Sequence, residues 1–275
     1  LPVIVVSAAS GAFGRLVIDR LLARCPPGRI VAAVRRPDRV AYLAARGVEV
    51  RHADYDAPAT LRAAFADADR LLLISSPELG LARRVAQHEA AVEAARGAGV
   101  GALVYTSFLG ADTQASGVAE AHHMTERALR ASGVPRTVLR HPFYSEAFLH
   151  PGLRAAVAAG ELSDATGGRG INTALRADLA EAAARVLTEN HHIGRAYDFT
   201  GEPWTFPRLA EVLTRVTGTA VVRREREPAP GAQGWLEGQV RAGALERWTG
   251  DLSGVLGRPA TSLEQVVAGL FPPCA

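Results

Sequence analysis

Short apolar, β-branched runs recur through the first half of the chain. Each is followed by a longer alanine-rich stretch with apolar residues three and four apart. Residues 3–6, 30–34, 48–51, 71–74, 102–106 and 137–140 predict strands, and residues 13–24, 79–96 and 118–130 predict helices between them. Regular alternation of β and α elements means a parallel sheet with helices on both faces. The strands are apolar throughout, as they must be when both faces are covered. Near Pro142 the rhythm changes. Helical stretches at 152–159, 176–189, 206–217 and 263–270 are separated by glycine- and proline-rich connections, with short strand candidates only around 195–199 and 220–223. The fold class is therefore α/β: a doubly wound parallel sheet over residues 1–145, and a smaller, mostly helical lobe over 146–275 with segments returning to the sheet. The run "RRERE" at 223–227 reads as a solvated, mixed-charge segment.

The first strand–helix junction reads "SAASGAFG", Ser7 to Gly14. Gly11 and Gly14 hold the second and third places of a Gly-x-x-Gly-x-x-Gly pattern, and Ala8 holds the first. Gly11 would let the backbone approach a pyrophosphate, and Gly14 would let helix and strand pack closely, as in a Rossmann-type domain. The free N–H groups at the start of the helix favour phosphate. Ala8 can replace the first glycine only if that residue keeps ordinary backbone angles. Ser7, Ser10, Gly11, Ala12, Phe13 and Gly14 are thus candidate cofactor contacts. An acidic residue at the end of the second strand would serve the ribose hydroxyls of NAD. Arg35 and Arg36 stand there instead, and two guanidiniums suit a 2′-phosphate, which points to NADP(H).

Charge and composition remove other classes. The net charge is +3, and all 31 basic residues are arginine. Without lysine there is no Schiff-base lysine, no P-loop lysine and no Tyr-x-x-x-Lys reductase dyad. The arginines are scattered rather than interleaved with aromatics, so no nucleic-acid surface is expected. No apolar run approaches the roughly 20 residues of a membrane span, and no leader pattern is present. Cys25 and Cys274 lie far apart at no metal or redox spacing, so a reducing cytoplasm is expected. His191 and His192 are read as a polar helix end lacking a carboxylate or cysteine at metal spacing, and no metal is expected.

Four stretches carry a family likeness: "RHADYDAPATLRAAFADADRLLLISSPELG", "GVGALVYTSFLGADT", "AEAHHMTERALRASGVPRTVLRHPFYSE" and "RADLAEAAARVL". With the loop and the arginine pair, the chain resembles the NmrA-like atypical short-chain dehydrogenase/reductases. Within them it is most similar to the type 2 NADPH-dependent quinone oxidoreductases. The likeness runs through most of residues 3–200 and fades beyond about 220. It implies a Rossmann-type domain, NADP(H) and reduction of a quinone or related carbonyl. Some members sense dinucleotides without catalysis and others tailor aromatic polyketides, so enzyme and sensor both stay open. The sequence departs from the family pattern at Ala8, at Ala147 (commonly asparagine after "YSE") and at Arg127 (frequently lysine).

In typical short-chain reductases the Tyr-x-x-x-Lys pair lies on the helix after the fifth strand. Matching that helix puts Val118 at the tyrosine position and His122 at the lysine position. The resemblance thus makes His122 a candidate proton donor or ribose partner near the nicotinamide, with His123 turned outward toward Arg127 and Arg130. Three strand-end segments should converge where doubly wound sheets take ligands. Ser75, Ser76 and Thr106 are candidate cofactor contacts, and Asp54 should sit near the adenine amine. Ser107, Phe108, Phe143 and Tyr144 are candidates for holding a flat aromatic or quinonoid ring in a cleft between sheet edge and lobe. The Tyr144 hydroxyl is also a candidate donor to the developing oxyanion. Loss of the tyrosine acid counts against ordinary ketone reduction more than against quinone reduction, whose product anion is aromatic. A homodimer is one assembly this reading leaves open.

Overall fold

The computed structural model describes residues 2–113 and 117–272. Its strands are β1 (Ile4–Ser7), β2 (Ile30–Val34), β3 (Glu49–His52), β4 (Arg70–Leu73), β5 (Ala102–Phe108), β6 (Arg136–His141), β7 (Phe143–Tyr144), β8 (Glu161–Asp164), β9 (Thr173–Ala174), β10 (Ala196–Asp198) and β11 (Val222–Glu225). The helices are α1 (Ala12–Leu22), α2 (Ala41–Ala44), α3 (Ala59–Ala64), α4 (Leu81–Gly97), α5 (Val118–Ser132), α6 (Leu153–Ala159), α7 (Arg176–Thr188), α8 (Phe206–Thr217), α9 (Ala232–Arg241), α10 (Asp251–Leu256) and α11 (Leu263–Leu270). None is long and apolar enough to cross a membrane.

Seven strands form one sheet in the order β10-β6-β5-β4-β1-β2-β3, every pair parallel. This is the Rossmann-type doubly wound sheet. Strands β1, β2 and β4 are buried along their whole length, which is why their sequences are apolar at every position. The edge strand β3, Glu-Val-Arg-His, is only half covered. The order reverses between β1 and β4, and their carboxyl ends open the crevice where such sheets take ligands. Beneath it Val5, Val31, Leu61, Phe65, Leu71, Leu103, Tyr105 and Leu129 share one buried cluster.

The chain divides into two compact units. One comprises Leu1–His141 and Leu179–Asp198, the other Pro142–Asp178 and Phe199–Ala275. The second has its own core of Leu149, Leu162, Ile171, Trp204, Leu209, Leu213, Val221 and Val240. Its strands pair as β8 with β11 and β7 with β9, both parallel. Strand β11 corrects the reading of "RRERE" as merely solvated. Arg223 reaches back to Asp164, a fully buried carboxylate that also accepts from the Thr166 backbone and hydroxyl. Cys25 is a buried free thiol after α1, and burial raises its pKa. Cys274 lies outside the described residues.

Candidate active site

The opening loop leaves β1 at Ser7 and enters α1 at Ala12. A Cβ on Gly14 would lie 2.7 Å from Ala9 Cα and 2.8 Å from the Ala8 carbonyl oxygen, so only glycine lets helix and loop approach this closely. Gly11 closes the turn by donating its N–H to the Ala8 carbonyl (3.0 Å). Ala8 itself is at φ 48°, in the left-handed region. The expectation of ordinary angles there is overturned: the turn imposes its geometry on an alanine, at a conformational cost. Gly11 and Ala12 are exposed, and the first turn of α1 has neither an acidic residue nor a side-chain cap. Its N–H groups are therefore open to an anion.

Two loop side chains face inward. The Ser7 hydroxyl sits in a closed ring of bonds: Ile74 N–H donates to it (2.9 Å), it donates to Tyr55 Oη (2.7 Å), and Tyr55 donates to the Ile74 carbonyl (2.7 Å). Ser7 thus stitches β1 to the end of β4, and its hydroxyl is committed within the fold. Phe13 is buried edge-on against His141, with ring centroids 5.3 Å apart, so its ring is packing. Ser10 is half-buried, and its carbonyl accepts from Arg15 Nε (2.8 Å).

Arg35 and Arg36 follow β2, both exposed, and neither forms an ion pair among the described residues. Asp54 caps its own turn by accepting from the Asp56 N–H (3.0 Å). Next to it Asp56 accepts from Arg83 (2.9 Å) and Gln87 (2.7 Å), and these bonds, with Arg83 and Arg35 nearby, lower its pKa.

At the ends of β4 and β5 the predicted hydroxyls separate into two kinds. Thr106 Oγ1 accepts from the Ser75 N–H (2.9 Å) and so joins the two strand ends. Ser76 Oγ is buried and donates to Gln87 Oε1 (2.5 Å), and the Ser76 N–H donates to His88 Nε2 (2.8 Å). That bond places the His88 proton on Nδ1, 2.9 Å from Thr125 Oγ1, whose own hydrogen goes to the Ala121 carbonyl (2.7 Å). Ser107 Oγ donates to Glu126 Oε1 (2.7 Å). Glu126 is almost fully buried and is gripped by both Nε and Nη2 of Arg140 (2.8 Å each); Arg140 also meets Asp198 (3.2 Å) and Asp112 (3.4 Å). Ser76 and Ser107 therefore hold α4 and α5 in place with hydroxyls already committed, a correction to both as free ligand donors.

His122 is buried 6.1 Å from the Phe108 ring centroid. Arg84 Nη2 donates to its Nε2 (2.9 Å), so Nδ1 carries the proton toward Tyr105 Oη (2.9 Å). Burial, with Arg84 and then His88 nearby, holds the imidazole pKa well below its ordinary value. His122 is thus neutral with both nitrogens engaged, which corrects its reading as a proton donor to a ligand. His123 is half-buried, and its Nδ1 donates to the Ala111 carbonyl (2.8 Å), so it fastens the segment after β5 instead of facing solvent. Phe143 and Tyr144 form β7 in the second unit. There the Arg176 guanidinium lies over the Tyr144 ring, 4.7 Å from its centroid, and burial raises the phenol pKa. Tyr144 is therefore a protonated donor at neutral pH.

Arg84, His88, Glu126 and Arg140 were not picked out from sequence, and Tyr105, which the strand-end segment brings toward a ligand, is instead buried against His122. Only the i, i+3 and i+4 spacing of His122, Thr125 and Glu126 hinted that one face of α5 is polar and buried. The reading of His191 and His192 also changes. Glu189 supplies the missing carboxylate, with Oε2 3.2 Å from His192 Nε2 and 3.8 Å from His191 Nε2. His192 is buried and its Nδ1 lies 2.7 Å from Tyr197 Oη, while Arg24 Nη1 lies 4.0 Å from Glu189.

Residues 8–190 match the NAD(P)H-binding family model. The chain belongs to the NAD(P)H-binding family. It is 38% identical to quinone oxidoreductase 2 of Escherichia coli over 98% of both chains. It is 31% identical to an NmrA-like family domain-containing oxidoreductase of Aspergillus flavus over 81% of this chain and 74% of that one. Among solved structures, a Citrobacter sp. triphenylmethane reductase complexed with NADP(H) aligns at a TM-score of 0.93 and 34% identity, covering 97% of this chain and 99% of that one. The E. coli NADPH-dependent quinone oxidoreductase complexed with NADPH aligns at 0.88 and 38% identity, covering 98% and 99%. The NmrA-like resemblance of the sequence is thereby shown.

Proposed function

We propose that this family member is an NADPH-dependent reductase of quinones and related planar, electron-poor aromatics. The observation that carries the reading is the 38% identity across nearly the whole of both chains to the E. coli quinone oxidoreductase, a protein solved with NADPH. The residues present suit that cofactor. The open N-terminus of α1 and the close approach at Gly11 and Gly14 would take the pyrophosphate. Arg35 and Arg36, exposed and without an ion pair among the described residues, would take the 2′-phosphate where an NAD site has an acid. When bound, the cofactor supplies the hydride. The protein's part is to orient the ring, exclude water and stabilise negative charge on the substrate oxygen.

Quinones suit this chain better than simple ketones, because it has neither the tyrosine nor the lysine of the usual acid pair. Polycyclic quinones of specialised metabolism fall within the same substrate class. The test is NADPH oxidation with simple benzoquinones, polycyclic quinones, ketones and aldehydes. Turnover confined to quinonoid substrates is expected. Robust ketone reduction without any response to quinones overturns the reading, and tight NADPH binding with no turnover on the whole panel favours a dinucleotide sensor.

A further inference from the structure

Arg84 stands out among the charged groups at the carboxyl edge of β4 and β5. It is half-buried, yet no carboxylate among the described residues pairs with it. One Nη donates to His122, and the Nε–H is buried without a partner. Its neighbour Arg83 is exposed and already satisfied by Asp56 and Glu78. The groups nearest to Arg84 are His122, His88 and Tyr105. Both histidines are held neutral by burial, and burial raises the tyrosine pKa, so none of them offsets the guanidinium charge. Desolvation lowers the Arg84 pKa, as expected of a cation buried without its counter-ion.

We propose that Arg84 is the anion-binding residue of the substrate site, and that it receives the oxyanion of the quinone as it is reduced. This rests on the quinone-reductase reading above. Hydride addition brings two electrons and one hydrogen to the quinone and leaves one oxygen as the hydroquinone monoanion. A proton from solvent completes the hydroquinone, so quinone, NADPH and H⁺ give hydroquinone and NADP⁺. The charge develops on an oxygen, and a guanidinium that no carboxylate among the described residues neutralises is suited to hold it. His122 acts as a positioning residue: its Nε2 anchors one Nη of Arg84, and Tyr105 behind it sets the tautomer. The absent lysine is thus replaced by a cation brought from α4, with the histidine at the lysine position as its support. A second consequence is a preference for quinones that are already anionic.

The proposal can be read without turnover by titrating 2-hydroxy-1,4-naphthoquinone, whose ionised form is coloured, into the cofactor-free protein and into its NADP⁺ complex. The wild type is expected to bind the anion about tenfold more tightly than the neutral form, lowering the apparent pKa of the bound dye by about one unit. Arg84→Met should abolish that shift, Arg84→Gln should abolish most of it, and Arg83→Met should retain it, with thermal melting reporting that each variant is folded. An unchanged shift in Arg84→Met, or no anion preference in the wild type, overturns the proposal. So does a result in which Arg84→Met weakens NADPH binding and leaves the dye untouched, since the guanidinium would then serve the cofactor. A wild type that binds the dye anion through Arg84 but reduces no quinone supports the anion site and defeats the quinone-reductase reading instead.

Discussion

Ala8 sits at φ 48° in a turn whose neighbours leave it no choice: Gly14 packs on Ala9, and Gly11 bonds back to the Ala8 carbonyl. A left-handed alanine costs roughly 1–2 kcal/mol. Glycine would remove that strain while adding about 0.5–1 kcal/mol of chain entropy to the unfolded state. Ala8→Gly is therefore expected to stabilise the protein by about 0.5–1 kcal/mol, seen as a higher urea midpoint at unchanged slope; a lower midpoint would mean that the methyl group packs. A few residues away the argument concerns charge. Arg35 follows the buried strand β2 and is exposed with no ion pair among the described residues, so Arg35→Ala costs the fold little. A charge-assisted contact contributes roughly 1.5–3 kcal/mol, on the order of 10- to 100-fold in affinity. Paired NADPH and NADH titrations should show the NADPH preference largely gone and NADH binding nearly unchanged. Equal affinity for the two cofactors in the wild type would remove the 2′-phosphate from the account.

At the scale of elements, α5 and β6 are joined by a buried ion pair. Glu126 accepts from Ser107, Arg140 and Arg130, while Arg140 reaches on to Asp112 and Asp198. Removing one partner of such a pair leaves the other buried charge short of compensation. Glu126→Ala is expected to cost about 3–5 kcal/mol, and Ser107→Ala about 1 kcal/mol, by urea unfolding; equal losses would show that the hydroxyl, not the ion pair, holds the helix. This network also shows where sequence reading stops. The six leading strands were legible because apolar runs between helical stretches have one physical meaning, and residues 30–34 and 206–217 match β2 and α8 end to end. Short α3 and the strand Glu-Leu-Ser-Asp of β8 were not, since their positions are fixed by tertiary pairing rather than local pattern. At the candidate site, the close packing of helix on loop at Gly14 was legible from spacing. Ser76 and Ser107 lie near the ends of β4 and β5 and His122 lies on α5, but sequence cannot say whether a buried hydroxyl or imidazole is aimed at a ligand or at Gln87, Glu126 and Arg84.

For the molecule as a whole, the buried histidines set the response to acid. His88 and His141 have pKa values lowered to about 3, and that of His122 is held well below normal, in each case chiefly by burial. The unfolded chain titrates these side chains near 6.5. Below that pH the unfolded state binds protons that the folded state refuses, so the histidine contribution to stability is full above about pH 7. It falls as the pH drops through 6 toward 3. Each such histidine adds about 1.4 kcal/mol per pH unit to the slope once the unfolded form is protonated. Asp56 and Asp164 also have lowered pKa values and act with the same sign, but their contribution is lost only at lower pH, as the pH falls through the carboxylate range. Between pH 6 and 4.5 the histidines therefore dominate. Unfolding near pH 5 is expected to take up close to three protons from His88, His122 and His141, with His192, whose pKa burial also lowers, adding to them, measured as the slope of unfolding free energy against pH. His141→Asn should lower that uptake by about one proton whatever it does to stability at pH 8. Stability that stays flat from pH 7 to 5 would show that the three imidazoles titrate normally in the folded protein, and the neutral His122 that supports Arg84 would go with them.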